Sequence, residues 1–337
     1  MMVYFDGIIE SLQKNGGVSV VFKELINNLS DSLLFEYSIF GLESSRLAPR
    51  NVLTLPYRSF ERYRKCPVMN NAAKVFHSTY YRLPDKKVPI ITTVHDFTYE
   101  YYSGGFKRSV HCYQKYNAIK NSDIVICVSN NTALDLMRFC PIKEDKVRVI
   151  HNGVSDSYYV QSEKKVTNDV LFVGSRAVYK NFDIAVKAVS MNRSICLNII
   201  GGGELSRVEL DLLNHYIPFR YKKYGFISDF ELNNLYNKSL ALIYPSSYEG
   251  FGIPLLEAMK AGCPIICGNT SSIPEVVGEA GLVLDDLNEF LVSDAIKYLQ
   301  NNSVFRSALV SGGLDRAEQF SWKQTALQTN QIYQLFT

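Results

Sequence analysis

The feature that most limits the fold is an alternation. Short β-branched and apolar runs are separated by amphipathic stretches along the whole chain, the pattern of βα units laid around mostly parallel sheets. In the first half it predicts strands near VYFDGII, YSIFGL, KVFHST, PIITTVHD, DIVICVS and VRVIHNG, with helices over 18–29, 105–120 and 131–139. The pattern then restarts with VLFVGS, a helix over 182–190, CLNIIGGG, YKKYGFI, a helix over 229–238, ALIYPS, a helix over 254–261, PIICG and closing helices after Asp286. The seam lies in the polar segment SDSYYVQSEKKVTND, near residue 160. At roughly 100–200 residues per domain, 337 residues make about two domains. The expected division is 1–157 and 158–318, with a C-terminal helix at 319–337 packing back toward the first domain. Open parallel sheets bind ligands at the carboxyl ends of their strands, so two facing sheets predict a cleft between domains, with the functional motifs along it.

Composition removes several classes of function. A net charge of only +3 and 47% hydrophobic residues exclude a disordered, collagenous or strongly basic nucleic-acid-binding chain. No apolar run approaches the roughly 18–20 residues of a membrane-spanning helix, and MMVYFDGIIE is acidic where a signal peptide is basic. A cytoplasmic chain, neither secreted nor transmembrane, is expected. The seven cysteines are scattered without a C-x-x-C pair, which reads as reduced thiols. Zinc held by Cys263, Cys267 and a distant histidine is a weaker reading than packing in strand cores. Charge is uneven, +6 over residues 1–150 and −3 over 151–337. Residues 46–65 carry Arg46, Arg50, Arg58, Arg62, Arg64 and Lys65, interleaved with Tyr57, Phe60 and Tyr63. That stretch is either a solvated loop or a surface for anionic lipid or a phosphorylated substrate.

The strongest local signal is ALIYPSSYEGFGIPLLEAMKAGCPIIC. An apolar strand ends at Pro245, a loop with two glycines follows, and Pro254 sits where proline belongs in the first turn of a helix. The free N–H groups of a helix start attract anions, so a diphosphate fits over Ile253, Pro254, Leu255 and Leu256. Glu249 and Glu257 flank it as hydrogen-bond acceptors for hydroxyls. Two solvent-facing acids would explain Glu257 alone, but not Gly250, Gly252 and Pro254 at these spacings.

The pattern E-x-F-G-x-P-x-x-E, formed by Glu249, Phe251, Gly252, Pro254 and Glu257, resembles the signature of retaining nucleotide-sugar glycosyltransferases of the family 4 type. Their GT-B fold has two Rossmann-like α/β domains facing each other across a cleft. The resemblance extends over most of the chain, through GGVSVVFKELINNL, TVHDFTYE, IVICVSNNTALDL, VIHNGV, VLFVGSRAVYKN, GFISDFELNNLYNKS, SSIPEVVGEAGLVLD and FSWKQTALQTNQIYQLF.

The resemblance implies roles residue by residue. Glu249 holds hydroxyls of the donor sugar and Glu257 the ribose hydroxyls. Lys180, with Asn181 beside it, neutralises the diphosphate. Gly16 and Gly17 let the backbone approach phosphate and sugar, His95 lies near the transferred sugar, and Phe226 and Ile227 bracket the base. Where many relatives have arginine before the lysine, this chain has Tyr179, and Arg176 either takes that role or serves structurally. Asp96 reads as an orienting or capping residue, and His77, His111, His151 and His215 as structural. No D-x-D occurs, so no metal or other cofactor is expected beside the nucleotide-sugar co-substrate, and Lys180 and the helix start supply the positive potential.

VHDFTYE resembles the mannosyl-transferring branch, which puts GDP-mannose first among donors. The expected acceptor is a lipid-linked saccharide of surface polysaccharide synthesis, O-antigen or capsule, reached from the cytoplasmic face of an anionic membrane. Nucleic acid is not an expected partner. A nucleotide-sugar epimerase of related fold and a non-catalytic sugar-binding relative are the alternatives.

Overall fold

Strand runs of four or five buried residues cannot lie at a surface, and among the described residues they assemble into two parallel sheets. The protein is described from a computed structural model over residues 2–13, 16–29, 33–48, 50–162 and 165–336. It divides into two units, Met1–Gly153 with Trp322–Thr337, and Val154–Ser321.

The first unit holds β1 (Met2–Asp6), β2 (Leu34–Phe40), β3 (Val52–Leu55), β4 (Val75–Ser78), β5 (Ile90–Val94), β6 (Ile124–Cys127) and β7 (Val147–Val149), in the order β3-β2-β1-β4-β5-β6-β7. Its core joins Val3, Phe5, Tyr37, Val75 and Ile91 of the sheet to Phe22 and Leu25 of the helix Gly17–Asn28. The helix Trp322–Gln334 belongs to this unit. Its Tyr333 is fully buried and shares a 2.7 Å hydrogen bond with His77 Nδ1, whose Nε2 meets Thr93 Oγ1 at 2.9 Å. Burial pushes His77 down to about 3, so it is a neutral core residue at physiological pH.

The second unit holds β8 (Asp169–Val173), β9 (Cys196–Ile200), β10 (Tyr221–Tyr224), β11 (Ala241–Tyr244), β12 (Ile265–Gly268) and β13 (Leu282–Leu284), in the order β10-β9-β8-β11-β12-β13. Val170, Phe172, Ile199, Ile243 and Ile266 pack there against Phe182, Ala185 and Val186 of the helix Phe182–Ser190.

In each sheet the order reverses once, between β1 and β4 and between β8 and β11. At such a point the loops leaving two adjacent strands turn opposite ways and open a crevice at their carboxyl ends. In the second unit those are the loops that carry Lys180 and Glu249.

Several elements carry no periodic signal, among them the short helices Ile9–Leu12 and Thr98–Tyr102. β3 is an edge strand whose residues are all at least partly exposed, so no apolar run marks it. The helix Arg207–Tyr216 has a single fully buried residue, Leu213, and was signalled only by its Ser206–Glu209 capping box. The helix Ile273–Val277 and strand β13 are too short for a period to show. All seven cysteines are free thiols, with Cys263 and Cys267 buried. Burial pushes Cys267 up to about 12. Among the described residues no three His, Cys, Asp or Glu side chains converge as a metal site.

Candidate active site

After β11 the chain runs through Pro245 into a loop that ends at Gly252, the N-cap of the helix Ile253–Lys260, with Pro254 in its first turn. Gly252 has φ +106°, and a Cβ there would lie 2.8 Å from Leu255 Cδ1, so only glycine fits the turn. Two neighbouring segments hold this loop. Ser271 Oγ accepts the Glu249 N–H at 2.7 Å and donates to the Glu249 carbonyl at 2.9 Å, while Ser272 Oγ lies 3.0 Å from the carbonyls of Glu249 and Phe251. On the other side Asn181 Nδ2 donates to the Pro245 carbonyl at 2.8 Å and to Ser247 Oγ at 2.6 Å. The Ser247 N–H donates to the Tyr179 carbonyl at 2.7 Å, closing the short turn Val178–Lys180 onto the loop.

That bracing brings Lys180 Nζ into an ion pair with Glu249 Oε1, with only 13% and 12% of the side chains exposed. The ammonium also lies 5.3 Å from the ring centre of Tyr244. A cation and a carboxylate thus share a partly buried place beside a helix start. Phe251, Leu255 and Leu256 are buried. The Leu255 N–H donates to the Gly252 carbonyl, so of the four first-turn residues expected to meet a diphosphate, Leu255 has its amide already engaged. Glu257, one turn on, receives the Tyr236 hydroxyl at 3.2 Å. Burial, with the Asp229 charge adding to it, raises Glu257 to about 7.

Arg176 lies apart from this group. Its Nε donates to Glu209 at 2.6 Å, its Nη1 to the Gly201 carbonyl at 3.0 Å, and its Nη2 to the carbonyls of Gly202, Gly203 and Glu204 at 2.8–3.2 Å. A Cβ at Gly202 would stand 2.5 Å from Arg176 Nη1, so this glycine turn and its arginine fit each other. The guanidinium is spent on holding the loop after β9. Phe226 is 79% exposed just past β10, with Ile227 half-buried beside it.

The remaining candidates lie in the first unit. Gly16 caps the helix Gly17–Asn28 in extended backbone, and a Cβ at Gly17 would meet nothing within 4 Å. His95 follows β5, its ring 5.9 Å from that of Phe22 on the same helix. Its Nε2 is buried with no hydrogen-bond partner among the described residues. Burial, aided by the Lys115 charge, lowers His95 to about 4, so it presents a neutral imidazole. Lys115 donates to the Asp96 carbonyl at 3.0 Å and pairs with the buried Glu100 at 2.8 Å. Asp96 Oδ1 accepts the Thr98 N–H at 2.9 Å, a local turn bond. Tyr236, Tyr244, Ser271 and Ser272 were not singled out from sequence. All four lie inside segments quoted for the family pattern or the strand–loop–helix signal, but nothing in those segments marked these side chains.

Two parallel sheets with single order reversals, and a lysine–carboxylate pair at the reversal of the second, define a doubly wound α/β protein with a polar crevice at its strand ends. Family models match in tandem, "Glycosyltransferase Family 4" over residues 15–158 and "Glycosyl transferases group 1" over residues 159–314. The chain belongs to the family 4 glycosyltransferases of GT-B fold. It is 27% identical over 286 residues to the O-antigen chain mannosyltransferase B of Escherichia coli, covering 77% of this chain and 74% of that one. It is 29% identical over 235 residues to the O-antigen chain mannosyltransferase RfbU of Salmonella typhimurium, covering 67% and 65%. In fold it is similar to a sucrose-phosphate synthase from Thermosynechococcus elongatus (TM-score 0.79, 18% identity, 99% and 98% covered). The Anabaena protein HepE, solved with UDP-glucose, is also similar (TM-score 0.77, 13% identity, 99% of each chain). Among the described residues no helix is long and apolar enough to cross a membrane.

Proposed function

We propose that this glycosyltransferase moves a hexosyl group, mannose from GDP-mannose in the first instance, onto a lipid-linked saccharide with retention of anomeric configuration and without a metal ion. The observation that carries the reading is the Lys180–Glu249 pair beside the Gly252 helix start. Each of these two charges is the other's partner. With donor bound, Lys180 and the helix start face the diphosphate, Glu249 accepts hydroxyls of the sugar and Glu257 those of the ribose.

The bond from the anomeric carbon to phosphate oxygen breaks with its electron pair leaving on the diphosphate, and the carbon passes through an oxocarbenium-like state. Lys180 stabilises the departing negative charge. The acceptor oxygen bonds the carbon on the face the leaving group vacates, and its proton passes to the departing phosphate oxygen. No protein base is needed, which fits a neutral His95 and leaves retention as the stereochemical outcome. Mannose is favoured because both O-antigen relatives are named as mannosyltransferases.

Incubation with GDP-mannose, a lipid-linked saccharide and excess chelator is expected to give product of unchanged anomeric configuration at an undiminished rate. Glu249→Ala is expected to fold and to lose most turnover at saturating donor. Activity abolished by chelator and restored by Mg²⁺ would overturn metal independence, an inverted product would overturn retention, and undiminished turnover by Glu249→Ala would remove its role.

The acceptor reading places residues 46–65 at an anionic membrane face. Here the structure narrows what the charges can do. Arg58 is bidentate on buried Glu61, Arg62 donates to His111 and lies 4.8 Å from the ring centre of Tyr80, and Arg64 donates to the Ser59 carbonyl. Pointing outward are aromatic rings, with Phe60 77% exposed and Tyr63 and Tyr57 about half so, beside the exposed Arg50, Arg58, Arg64 and Lys65. Such rings enter a bilayer interface while nearby cations each contribute about 1 kcal/mol toward anionic lipid. Co-sedimentation with vesicles is therefore expected to rise with anionic lipid fraction, fall with salt, and weaken in Phe60→Ser with Lys65→Gln. Equal recovery with neutral and anionic vesicles, or none with either, would remove the membrane claim.

A further inference from the structure

Behind Glu257 stand two tyrosines that packing alone does not account for. Tyr236 is fully buried on the helix Asp229–Lys238, yet its hydroxyl lies 3.2 Å from Glu257 Oε2 and 3.4 Å from the Pro254 carbonyl. Tyr158, 3% exposed, crosses the Tyr236 ring edge-on with centres 6.0 Å apart. Its hydroxyl donates to Asp229 Oδ1 at 3.4 Å, on the Glu257 side, and its presence favours the charged form of Glu257. No cation pairs with Glu257 among the described residues. The groups facing it are Tyr158, Asp229, Tyr236 and Tyr244, all neutral or negative.

We propose that Tyr236 and Tyr158 are positioning residues that hold the Glu257 carboxylate toward the ribose hydroxyls, and that they thereby link nucleotide binding to the loss of one proton. The inference rests on reading Glu257 as the ribose acceptor. A carboxylate buried with no counterion keeps its charge only through donors. Among the described residues the Tyr236 hydroxyl donates to it directly, and Tyr158 adds to that support while holding the Asp229 carboxylate. Ribose brings two more. Burial raises Glu257 to about 7, so below that pH binding must expel a proton and above it need not. Affinity therefore rises with pH through about 7 and then levels. Removing a tyrosine hydroxyl withdraws support from the charged form and moves the rise to higher pH. Removing the Asp229 charge moves it lower.

The test is calorimetric binding of whichever of GDP-mannose and UDP-glucose the wild type binds, since a sugar diphosphate has no phosphate proton of its own near neutrality. It runs from about pH 6 to about pH 9 with wild type, Tyr236→Phe, Tyr158→Phe, Asp229→Asn and Glu257→Gln. Tyr236→Phe is expected to shift the rise upward by about one pH unit, to weaken binding at pH 7 on the order of threefold to tenfold, and to match wild type at the alkaline end. Tyr158→Phe shifts in the same direction, so one of the two failing to fold leaves the other. Asp229→Asn shifts the opposite way, and Glu257→Gln binds weakly without pH dependence. Tyrosine variants weaker by one constant factor at every pH, or unchanged, would overturn the inference. Wild-type affinity and pH dependence in Glu257→Gln, or binding of neither nucleotide sugar by wild type, would instead overturn the ribose reading beneath it.

Discussion

Replacing Lys180 with alanine is expected to lower turnover on the order of 10²- to 10³-fold, about 2.7–4 kcal/mol of transition-state stabilisation, with a smaller change in donor KM. The split follows from where the charge develops. A bound donor already carries its diphosphate charge, but the leaving group gains more as the glycosidic bond breaks, and a fixed ammonium is felt most at that point. The site is suited to keeping the effect large. Lys180 is 13% exposed and its turn is braced by Asn181 and Tyr179, so little water screens it and little motion blurs it. Nor can the neighbouring guanidinium take over, because the Arg176 N–H groups are given to Glu209 and to four carbonyls of the loop after β9. Single-turnover rates at saturating donor are the measurement. A loss under tenfold would mean that another cation meets the diphosphate, and Arg176→Gln would then be expected to show the larger defect.

Legibility in the sequence followed the physics of each element. Buried parallel strands announce themselves, and ALIY and IIC were readable because both faces of those strands are covered. β3 was not, since an edge strand needs no continuous apolar face. At the site, Gly252 and Pro254 were legible because a tight turn into a helix start demands such residues at fixed spacing, while Glu249 and Glu257 were marked by the resemblance to the family pattern. The partners that aim them were not. Ser271 and Ser272 come from after β12, Tyr236 from the helix before β11 and Tyr158 from the first residues of the second unit. Their importance arises from contacts that no local spacing encodes. Arg176 shows the same limit from the other side. Its sequence position allowed two readings, and only the geometry of Gly201, Gly202 and Gly203 shows where its donors go.

The largest expected effect on stability comes from Arg82, a residue the motif search passed over. Its side chain is fully buried, with Nη1 3.2 Å from Asp6 Oδ1, Nη2 2.8 Å from Glu61 Oε1, and further bonds to the carbonyls of Arg64 and Lys65. The guanidinium also lies 4.5 Å from the ring centre of Phe40. One cation thus ties the end of β1 to the segment that presents Phe60 and Tyr63. Burial raises the Asp6 carboxyl, with Arg82 opposing it. For Glu61 burial also acts upward, but the Arg58 hydrogen bonds and the Arg82 charge outweigh it and hold the group below its usual value. Arg82→Met removes the shared counterion while filling much of the space. It leaves Asp6 buried without a counterion and Glu61 with Arg58 alone, at a cost of about 3–5 kcal/mol. For a unit of this size that is a fall in Tm of roughly 10 °C. The sign of the pH dependence is fixed by the same groups. A depressed Glu61 stabilises the wild type above the ordinary carboxylate range, and that contribution fades as pH falls through its folded value. In Arg82→Met the Asp6 carboxyl loses the one cation that opposes its burial and rises further, while Glu61 keeps Arg58, so protonation of Asp6 relieves the variant as pH falls. The difference from wild type is therefore expected to be greatest above about pH 7 and to shrink toward about pH 5. Adding Asp6→Asn to Arg82→Met removes the stranded charge and should recover much of the loss near neutrality. Denaturant titrations at the two pH values measure this. A cost below about 1 kcal/mol, or one equal at both pH values, would show that the network is not held by its central charge.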